Sequence, residues 1–254
     1  MVLTDTHCHI HSSHYEFDID AVLADAFAAG VTRMLCVGTG VADSQEAVAF
    51  AQEHEGCFAS IGIHPHEAAT EKGEWLDFVK LAGQPEVVAV GECGLDYFYL
   101  HSPKLDQQRL LRQQIELALE HNLPIVFHVR DAFDDFWKIF ESYRGIRGVL
   151  HSFTDNRANM ERGLSHNLYI GVNGIVTFTK DAKQRDLLIS VPEKRLLLET
   201  DAPYLTPVPK RGTINVPANV ELVADFIARE RNQPIEQIAA ITSQNAQELF
   251  ILND

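Results

Sequence analysis

The sequence lacks the features of disulfide-rich, secreted and membrane-spanning proteins. Four cysteines occur in 254 residues and none forms a C-x-x-C pair, so a reduced cytoplasmic setting fits better than a disulfide framework. No apolar run approaches the roughly 20 residues needed to cross a bilayer. The first residues lack a positively charged segment followed by an apolar one, so no signal peptide is expected. We therefore expect a soluble, cytoplasmic monomer with no membrane partner.

Basic residues are also scarce. The 21 Lys and Arg residues stand against 36 Asp and Glu, which gives a formal net charge of −15 at pH 7. Proteins that coat nucleic acid do so with broad basic faces that neutralise phosphates, and this composition argues against such a protein. It remains compatible with an enzyme that holds one or two phosphates through metal ions.

Short apolar or β-branched segments alternate with longer helix-like segments along the whole chain. The predicted strands are 2–9, 32–37, 57–63, 87–92, 124–129, 148–153, 168–172 and 195–200. The predicted helices are 19–29, 44–53, 74–82, 105–121, 132–142, 157–165, 181–190 and 219–231, with an extra C-terminal helix over 234–249. Such alternation implies parallel strands joined by right-handed crossovers.

Eight strand–helix units in about 250 residues predict an α/β fold, a single-domain (β/α)₈ TIM-type barrel spanning residues 1–254. Hydrophobic residues make up 46% of the chain, which suffices for one large core. The alternative is an open doubly wound sheet. It lacks support because no glycine-rich phosphate-binding loop follows an early strand.

Candidate metal ligands lie at the ends of five predicted strands. His7 and His9 share one face of the first strand, since side chains alternate, and two imidazoles there can chelate a transition metal. In a chain with 12 histidines, a chance H-x-H pair is the alternative. Glu92 follows an apolar strand, and a buried carboxylate needs a cation, whereas a solvated strand-end glutamate does not.

The remaining candidates are His128, His151 and Asp201. Each histidine ends an apolar strand, where a core histidine is the alternative interpretation. Asp201 can ligate a metal, orient the attacking water or take its proton. A helix-capping role fits Asp201 less well, because Pro203 and an irregular proline-rich loop follow it.

Taken together, these six residues are stronger evidence for a metal site than any one of them alone. The reason is that barrel enzymes carry their catalytic groups at the carboxyl ends of the strands. Four histidines and two carboxylates exceed what one tetrahedral ion needs, so a glutamate bridging two ions is the economical arrangement. We therefore predict two divalent ions, and Zn²⁺, Mg²⁺, Mn²⁺ and Ni²⁺ all remain open as their identity.

Other residues near these strand ends are candidates for substrate contacts. His64 can contact phosphate or donate a proton to the leaving oxygen, and a surface-loop role is the alternative. Arg130 can form a phosphate fork or a salt bridge with Asp131. The aromatic run at 97–99 can stack on a nucleobase or pack against a neighbouring loop.

Four further polar residues have open roles. Asp96 can hydrogen-bond His64 or another group at the rim, as outer-shell partners of metal ligands do. The role of His66 is open between phosphate contact and loop structure. Lys210 and Arg211 lie after the eighth strand, where barrels often bind phosphate, and solvated loop charges are the alternative.

The motifs together resemble the TatD family of metal-dependent deoxyribonucleases, within the amidohydrolase-like barrels. The matching stretches are DTHCH at 5–9, IGIHPH at 61–66, GECGLDY at 91–97, LPIVFHVRDA at 123–132, HSF at 151–153, NGIVTF at 173–178, ETDAPYLTPVPKRGTINVP at 199–217 and NAQELF at 245–250. The resemblance implies that His7, His9, Glu92 and Asp201 hold one ion. It further implies that Glu92 bridges, and that His128 and His151 hold the second ion.

The resemblance also implies an activity, hydrolysis of DNA phosphodiesters by a metal-activated water, as a 3′–5′ exonuclease. Two alternatives remain open. One is a metal-dependent deacylase or amidohydrolase acting on an ester or amide, such as a D-aminoacyl-tRNA, since the same activated water attacks carbon or phosphorus. The other is a non-catalytic metal-binding protein, which a missing ligand would favour.

Overall fold

The computed structural model describes residues 1–70 and 75–252. Its described part contains eight strands, one for each predicted strand, in sequence order. They are β1 (Leu3–Cys8), β2 (Val31–Val37), β3 (Cys57–Ile61), β4 (Val87–Asp96), β5 (Ile125–Arg130), β6 (Gly148–Leu150), β7 (Tyr169–Val172) and β8 (Leu196–Leu198). Every strand pairing is parallel, which is the α/β arrangement expected of a (β/α)₈ chain.

Helices separate the strands, and their bounds lie within a few residues of the predicted ones. The helices are α1 (Ile19–Ala28), α2 (Val41–Glu53), α3 (Trp75–Leu81), α4 (Lys104–Glu120), α5 (Phe133–Phe140), α6 (Arg157–Ser165), α7 (Ile175–Phe178), α8 (Ala182–Ile189), α9 (Val220–Glu230) and α10 (Ile235–Phe250). The first residue of the predicted helix 74–82 lies outside the described residues. The short helix α7 was not predicted from the sequence.

The predicted end of the fourth strand was wrong. Strand β4 continues four residues beyond Glu92, to Asp96, and pairs there with β5. Gly94 makes this extension possible, because its φ of 155° and the backbone of His128 beside it leave no room for a side chain. Glu92 therefore lies within β4 rather than at its end, and Asp96 takes the terminal position.

The chain divides into two compact units, Met1–Cys36 with Ser152–Asp254 (unit 1) and Val37–His151 (unit 2). In unit 1, β1 pairs with β2 and β7 pairs with β8. A further parallel bridge joins Cys8, the last residue of β1, to Ala202, shortly after β8. In unit 2, β3 to β6 pair consecutively.

Burial follows the hydrophobic pattern. All ten residues of β4 are buried, as expected for a parallel strand covered on both faces. Helix α4 buries Leu110, Leu111, Ile115 and Ala118, the helical spacing that presents one apolar stripe to the core. The four cysteines are free and buried. No described helix combines the length and hydropathy that crossing a bilayer requires.

One buried amide ties α4 to the segment that follows β3. The Gln114 side chain accepts a hydrogen bond from Ile63 N–H at 2.8 Å and donates one to the Ile63 carbonyl at 3.0 Å. Both residues are fully or almost fully buried, so water cannot replace these partners. Gln114 thus fixes the chain immediately before His64.

Replacing Gln114 with Ala should lower the free energy of unfolding by about 2–4 kcal/mol, because two buried backbone groups lose their partners. Urea unfolding followed by circular dichroism measures the change. The half-buried Gln113 on the same helix provides the control, and Gln113→Ala should shift stability by less than about 0.5 kcal/mol. Equal effects of the two substitutions would show that the buried amide contributes nothing specific.

Candidate metal centre

Unit 1 brings together His7, His9 and Asp201. The Nε2 atoms of the two histidines lie 3.2 Å apart, as expected for residues on one face of a strand. Asp201 Oδ1 lies 3.6 Å from His7 Nε2 and 3.5 Å from His9 Nε2. The three ligand atoms lie within 4.8 Å of one another, so this group can hold a metal ion; we call it triad 1.

The backbone of Asp201 brings its carboxylate towards the two histidines. Its φ of 59° is left-handed, a conformation that Asp tolerates better than most side chains. Its N–H donates to the His7 carbonyl at 2.8 Å, and His9 N–H donates to the Ala202 carbonyl at the same distance. The ends of β1 and β8 are thereby joined at the position of triad 1.

A second aspartate, Asp5, hydrogen-bonds the backbone at or next to two residues of triad 1. Asp5 is fully buried and accepts hydrogen bonds from Thr200 N–H at 2.8 Å and Thr200 Oγ1 at 2.6 Å. It also accepts one from His7 N–H at 3.3 Å. Burial raises the pKa of Asp5 to about 7, although these hydrogen bonds act in the opposite direction.

Unit 2 brings together His64, Glu92 and His128. The Glu92 carboxylate is the centre of this group. Glu92 Oε1 lies 2.7 Å from His128 Nδ1, 3.6 Å from His64 Nε2 and 3.7 Å from His151 Nε2. The ligand atoms of His64, Glu92 and His128 lie within 4.8 Å of one another. We call these three residues triad 2, with His151 beside it.

The two triad 2 histidines differ in their electrostatics. Burial, reinforced by His128, holds the pKa of His64 well below its usual range. Burial also disfavours the charged form of His128, but hydrogen bonds to Asp96 and Glu92 outweigh it and raise its pKa to about 9. Without an ion, His128 therefore supplies the positive charge that the buried Glu92 requires.

Asp96 holds two histidines with one oxygen. Its Oδ2 lies 3.0 Å from His128 Nε2 and 3.1 Å from His66 Nε2, and its Oδ1 accepts Tyr99 N–H at 2.8 Å. Burial would raise the pKa of Asp96, but these hydrogen bonds, that from His128 foremost, keep it well below the usual range. Asp96 thus orients His128 so that Nδ1 faces Glu92.

The donor atoms of both triads fit divalent ions. Imidazole nitrogens and carboxylate oxygens at this separation are ligands for Zn²⁺, Mn²⁺, Ni²⁺ and related metals. An ion at Glu92 would take the place of the proton on His128 Nδ1, since metal ligands must be deprotonated. Among the described residues, the groups able to hold an ion contain His, Asp and Glu but no cysteine, and Cys8 and Cys93 are fully buried.

The structure places all six predicted ligands in or beside the two triads and adds one residue, His64, that was not predicted as a ligand. Triad 1 contains three of the six predicted ligands, and unit 2 brings the other three together, with His128 and His151 beside Glu92. His64 was predicted to contact substrate but not to lie among ligand-type residues. The signal in the sequence is its position three residues after Ile61, the end of β3, where barrel strands deliver site residues.

Two of the three candidate phosphate-binding residues, Arg130 and Arg211, contact aromatic rings of the protein. The Arg130 guanidinium lies over the rings of Phe98 and Tyr99, 4.1 Å and 4.7 Å from their centroids, rather than against Asp131. Arg211 lies 3.8 Å from the Phe178 ring centroid and donates to the Thr206 carbonyl. Lys210 is exposed in the same loop.

Comparison with known proteins identifies the family. The model of the TatD related DNase family matches residues 4–251. The chain belongs to the TatD related DNase family. A metal-dependent hydrolase of Bacillus subtilis, YabD, is 38% identical over 99% of this chain and 100% of its own. The 3′-5′ ssDNA/RNA exonuclease TatD of Escherichia coli is 37% identical over 97% of this chain and 98% of its own.

The crystal structure of the TatD homologue YJJV from Escherichia coli has the same fold, with a TM-score of 0.91 and 30% identity. The match covers 99% of this chain and 98% of that one. This likeness confirms the predicted (β/α)₈ barrel class. Membership of the TatD related DNase family likewise confirms the predicted hydrolase class.

Replacing Asp96 with Asn should weaken metal binding at triad 2 by about 10- to 100-fold, the usual effect of losing an outer partner of a ligating histidine. Zn²⁺ titration against a competing chelator measures the dissociation constant. Asp77→Asn is the matched control, because Asp77 is exposed and pairs with Lys80 rather than with a histidine. An unchanged constant in Asp96→Asn would remove the orienting role from Asp96.

Proposed function

We propose that this protein removes nucleotides from the 3′ ends of single-stranded DNA or RNA by hydrolysing phosphodiester bonds with two divalent ions. The observation that carries the proposal is the pair of triads, each a carboxylate with two imidazoles. Nuclease chemistry is supported by the printed activity of Escherichia coli TatD at 37% identity over almost the full chain.

The proposed ligands are the three residues of triad 1 and, in unit 2, Glu92 with two of the three histidines that lie around it. His7, His9 and Asp201 would hold one ion, and Glu92, His128 and His151 would hold the other. The bridging role of Glu92 remains a prediction of the family resemblance. Bound ions would polarise a phosphoryl oxygen and lower the pKa of a water molecule.

His64 is proposed as a hydrogen-bond donor rather than a ligand. Its Nδ1 accepts the His66 N–H at 3.2 Å, so the hydrogen of the neutral ring resides on Nε2, which faces Glu92. A fixed donor at this position can serve the leaving oxygen of a phosphodiester. This geometry supports the catalytic role that the sequence predicts for His64.

Arg130 is proposed to bind phosphate. It is exposed at the end of β5, two residues beyond His128 and therefore on the same side of the strand. Its planar guanidinium can stack on aromatic rings and still donate to an anion. Asp201 is proposed to hold the attacking water in line, in addition to its place in triad 1.

We also propose that residues 1–254 act as one hydrolase domain. The support is that a single family model spans residues 4–251 without interruption.

A panel of substrates tests the proposed reaction. The metal-loaded protein should progressively shorten 5′-end-labelled single-stranded DNA and RNA, while aminoacyl-tRNA keeps its ester bond. Denaturing gels and acid-gel separation of the tRNA give both readouts in one series. Cleavage of the aminoacyl ester with intact DNA and RNA would replace the nuclease by the deacylase.

Replacing Glu92 with Gln should lower both ion content and turnover. A direct ligand should cost at least about a hundredfold in activity, since outer partners already cost 10- to 100-fold. Plasma emission spectroscopy counts ions per chain, and the labelled-DNA assay measures turnover. Glu120→Gln, at the exposed end of α4, is the control. Full ion content and activity in Glu92→Gln would eliminate Glu92 as a ligand.

A further inference from the structure

The aromatic run after β4 divides into a half-buried ring, Tyr97, and two exposed rings. The Tyr97 hydroxyl donates to Asp135 Oδ2 at 3.1 Å and accepts from Gln108 Nε2 at 2.8 Å, so this ring is held against α4 and α5. By contrast, Phe98 is 55% exposed and Tyr99 is 51% exposed. Two neighbouring aromatic rings are therefore presented to solvent.

The two exposed rings are ordered rather than loose. Their centroids lie 4.8 Å apart at an interplanar angle of 89°, and the Arg130 guanidinium lies over both. The Tyr99 ring stacks on His101 at 5.7 Å and 9°, and the Tyr99 N–H is anchored on Asp96. Cation–π contact at these distances stabilises the arrangement. Flat, ordered rings lose little conformational freedom when a ligand stacks on them.

These rings adjoin triad 2. The Tyr99 ring meets the His66 ring edge-on at 5.6 Å, and the His66 Nε2 shares Asp96 Oδ2 with His128. A continuous series of contacts thus leads from the exposed rings to the histidine that faces Glu92. A group stacked on Tyr99 would lie next to whatever binds at triad 2.

We propose that Phe98 and Tyr99, with Arg130, form a stacking platform for an unpaired nucleobase of the substrate. The platform deepens the proposed function, on which it rests, by naming the part of the substrate that is recognised. Aromatic faces accept any base, so the platform selects an unstacked, single-stranded end without reading its sequence. The Arg130 guanidinium, which lies over both rings, can donate to the phosphate of the same nucleotide.

The charge of the protein makes such a platform useful. With a net charge of −15, the chain gains little from the general electrostatic attraction that supplies most non-specific binding of nucleic acid. Base stacking does not depend on net charge, and it contributes affinity next to the reacting phosphate.

Two oligonucleotides of equal length and phosphate number test the platform. One is a fluorescently labelled oligothymidylate, and the other carries abasic residues throughout. Fluorescence anisotropy of the full-length protein in EDTA should give a dissociation constant about tenfold lower for the oligothymidylate, the effect expected of one stacked base. Phe98→Ala and Tyr99→Ala should each remove most of this preference, whereas Tyr99→Phe should keep it.

Phe27→Ala is the matched control, because Phe27 is 47% exposed on α1, outside unit 2. Equal binding of the two oligonucleotides by the unsubstituted protein, or an equal loss in Phe27→Ala, would overturn the platform. Metal-loaded hydrolysis of both oligonucleotides separates this outcome from failure of the proposed function. Base-selective binding without cleavage would contradict the nuclease activity and support the platform. Cleavage of both oligonucleotides without a binding preference would support the nuclease activity and contradict the platform.

Discussion

The structure of the site depends on the cost of burying carboxylates. Glu92 is 5% exposed, and a buried anion without a partner costs several kcal/mol. Three imidazole nitrogens, those of His64, His128 and His151, lie within 3.7 Å of one of its oxygens. Hydrogen bonds to Glu92 and Asp96 raise the pKa of His128, and its proton balances this charge. The same atoms would be available as ligands to a divalent ion, which would supply the positive charge in place of that proton.

Both units use the same arrangement. Each triad contains one carboxylate and two histidines, and each has a further aspartate behind it, Asp5 in unit 1 and Asp96 in unit 2. The two supporting aspartates differ in electrostatic state. Asp5 accepts only neutral hydrogen bonds and has a raised pKa, whereas Asp96 faces the positively charged His128 and has a lowered one. Asp5 is thus fixed by backbone and hydroxyl hydrogen bonds beside triad 1, and Asp96 is fixed largely by its charged contact with His128 beside triad 2.

Periodicity made most of the fold and ligand set predictable. The two-residue repeat of a strand is sufficient to place His7 and His9 on one face, and the alternation of strands and helices is sufficient to define the fold class. The continuation of β4 to Asp96 was not predictable in the same way. It depends on Gly94 lying against the His128 backbone, a contact between segments about 34 residues apart in sequence. The partners of Asp96, His64 and Arg130 likewise depend on which loops meet in space.

The division of the 97–99 run shows why side-chain function is harder to predict than position. From sequence, stacking on a base and packing against a loop are both possible for three similar rings, and packing is the more common fate. The structure separates the rings by partner: the Tyr97 hydroxyl hydrogen-bonds Asp135 and Gln108, whereas the Phe98 and Tyr99 rings lie against the cation of Arg130 and neighbouring rings. A guanidinium lying over two aromatic rings is suited to a ligand with both a flat face and an anion. A nucleotide has both, and so has the 3′-terminal nucleotide that carries the ester of an aminoacyl-tRNA. Such a platform would therefore select a nucleotide end, whichever atom of that end is attacked.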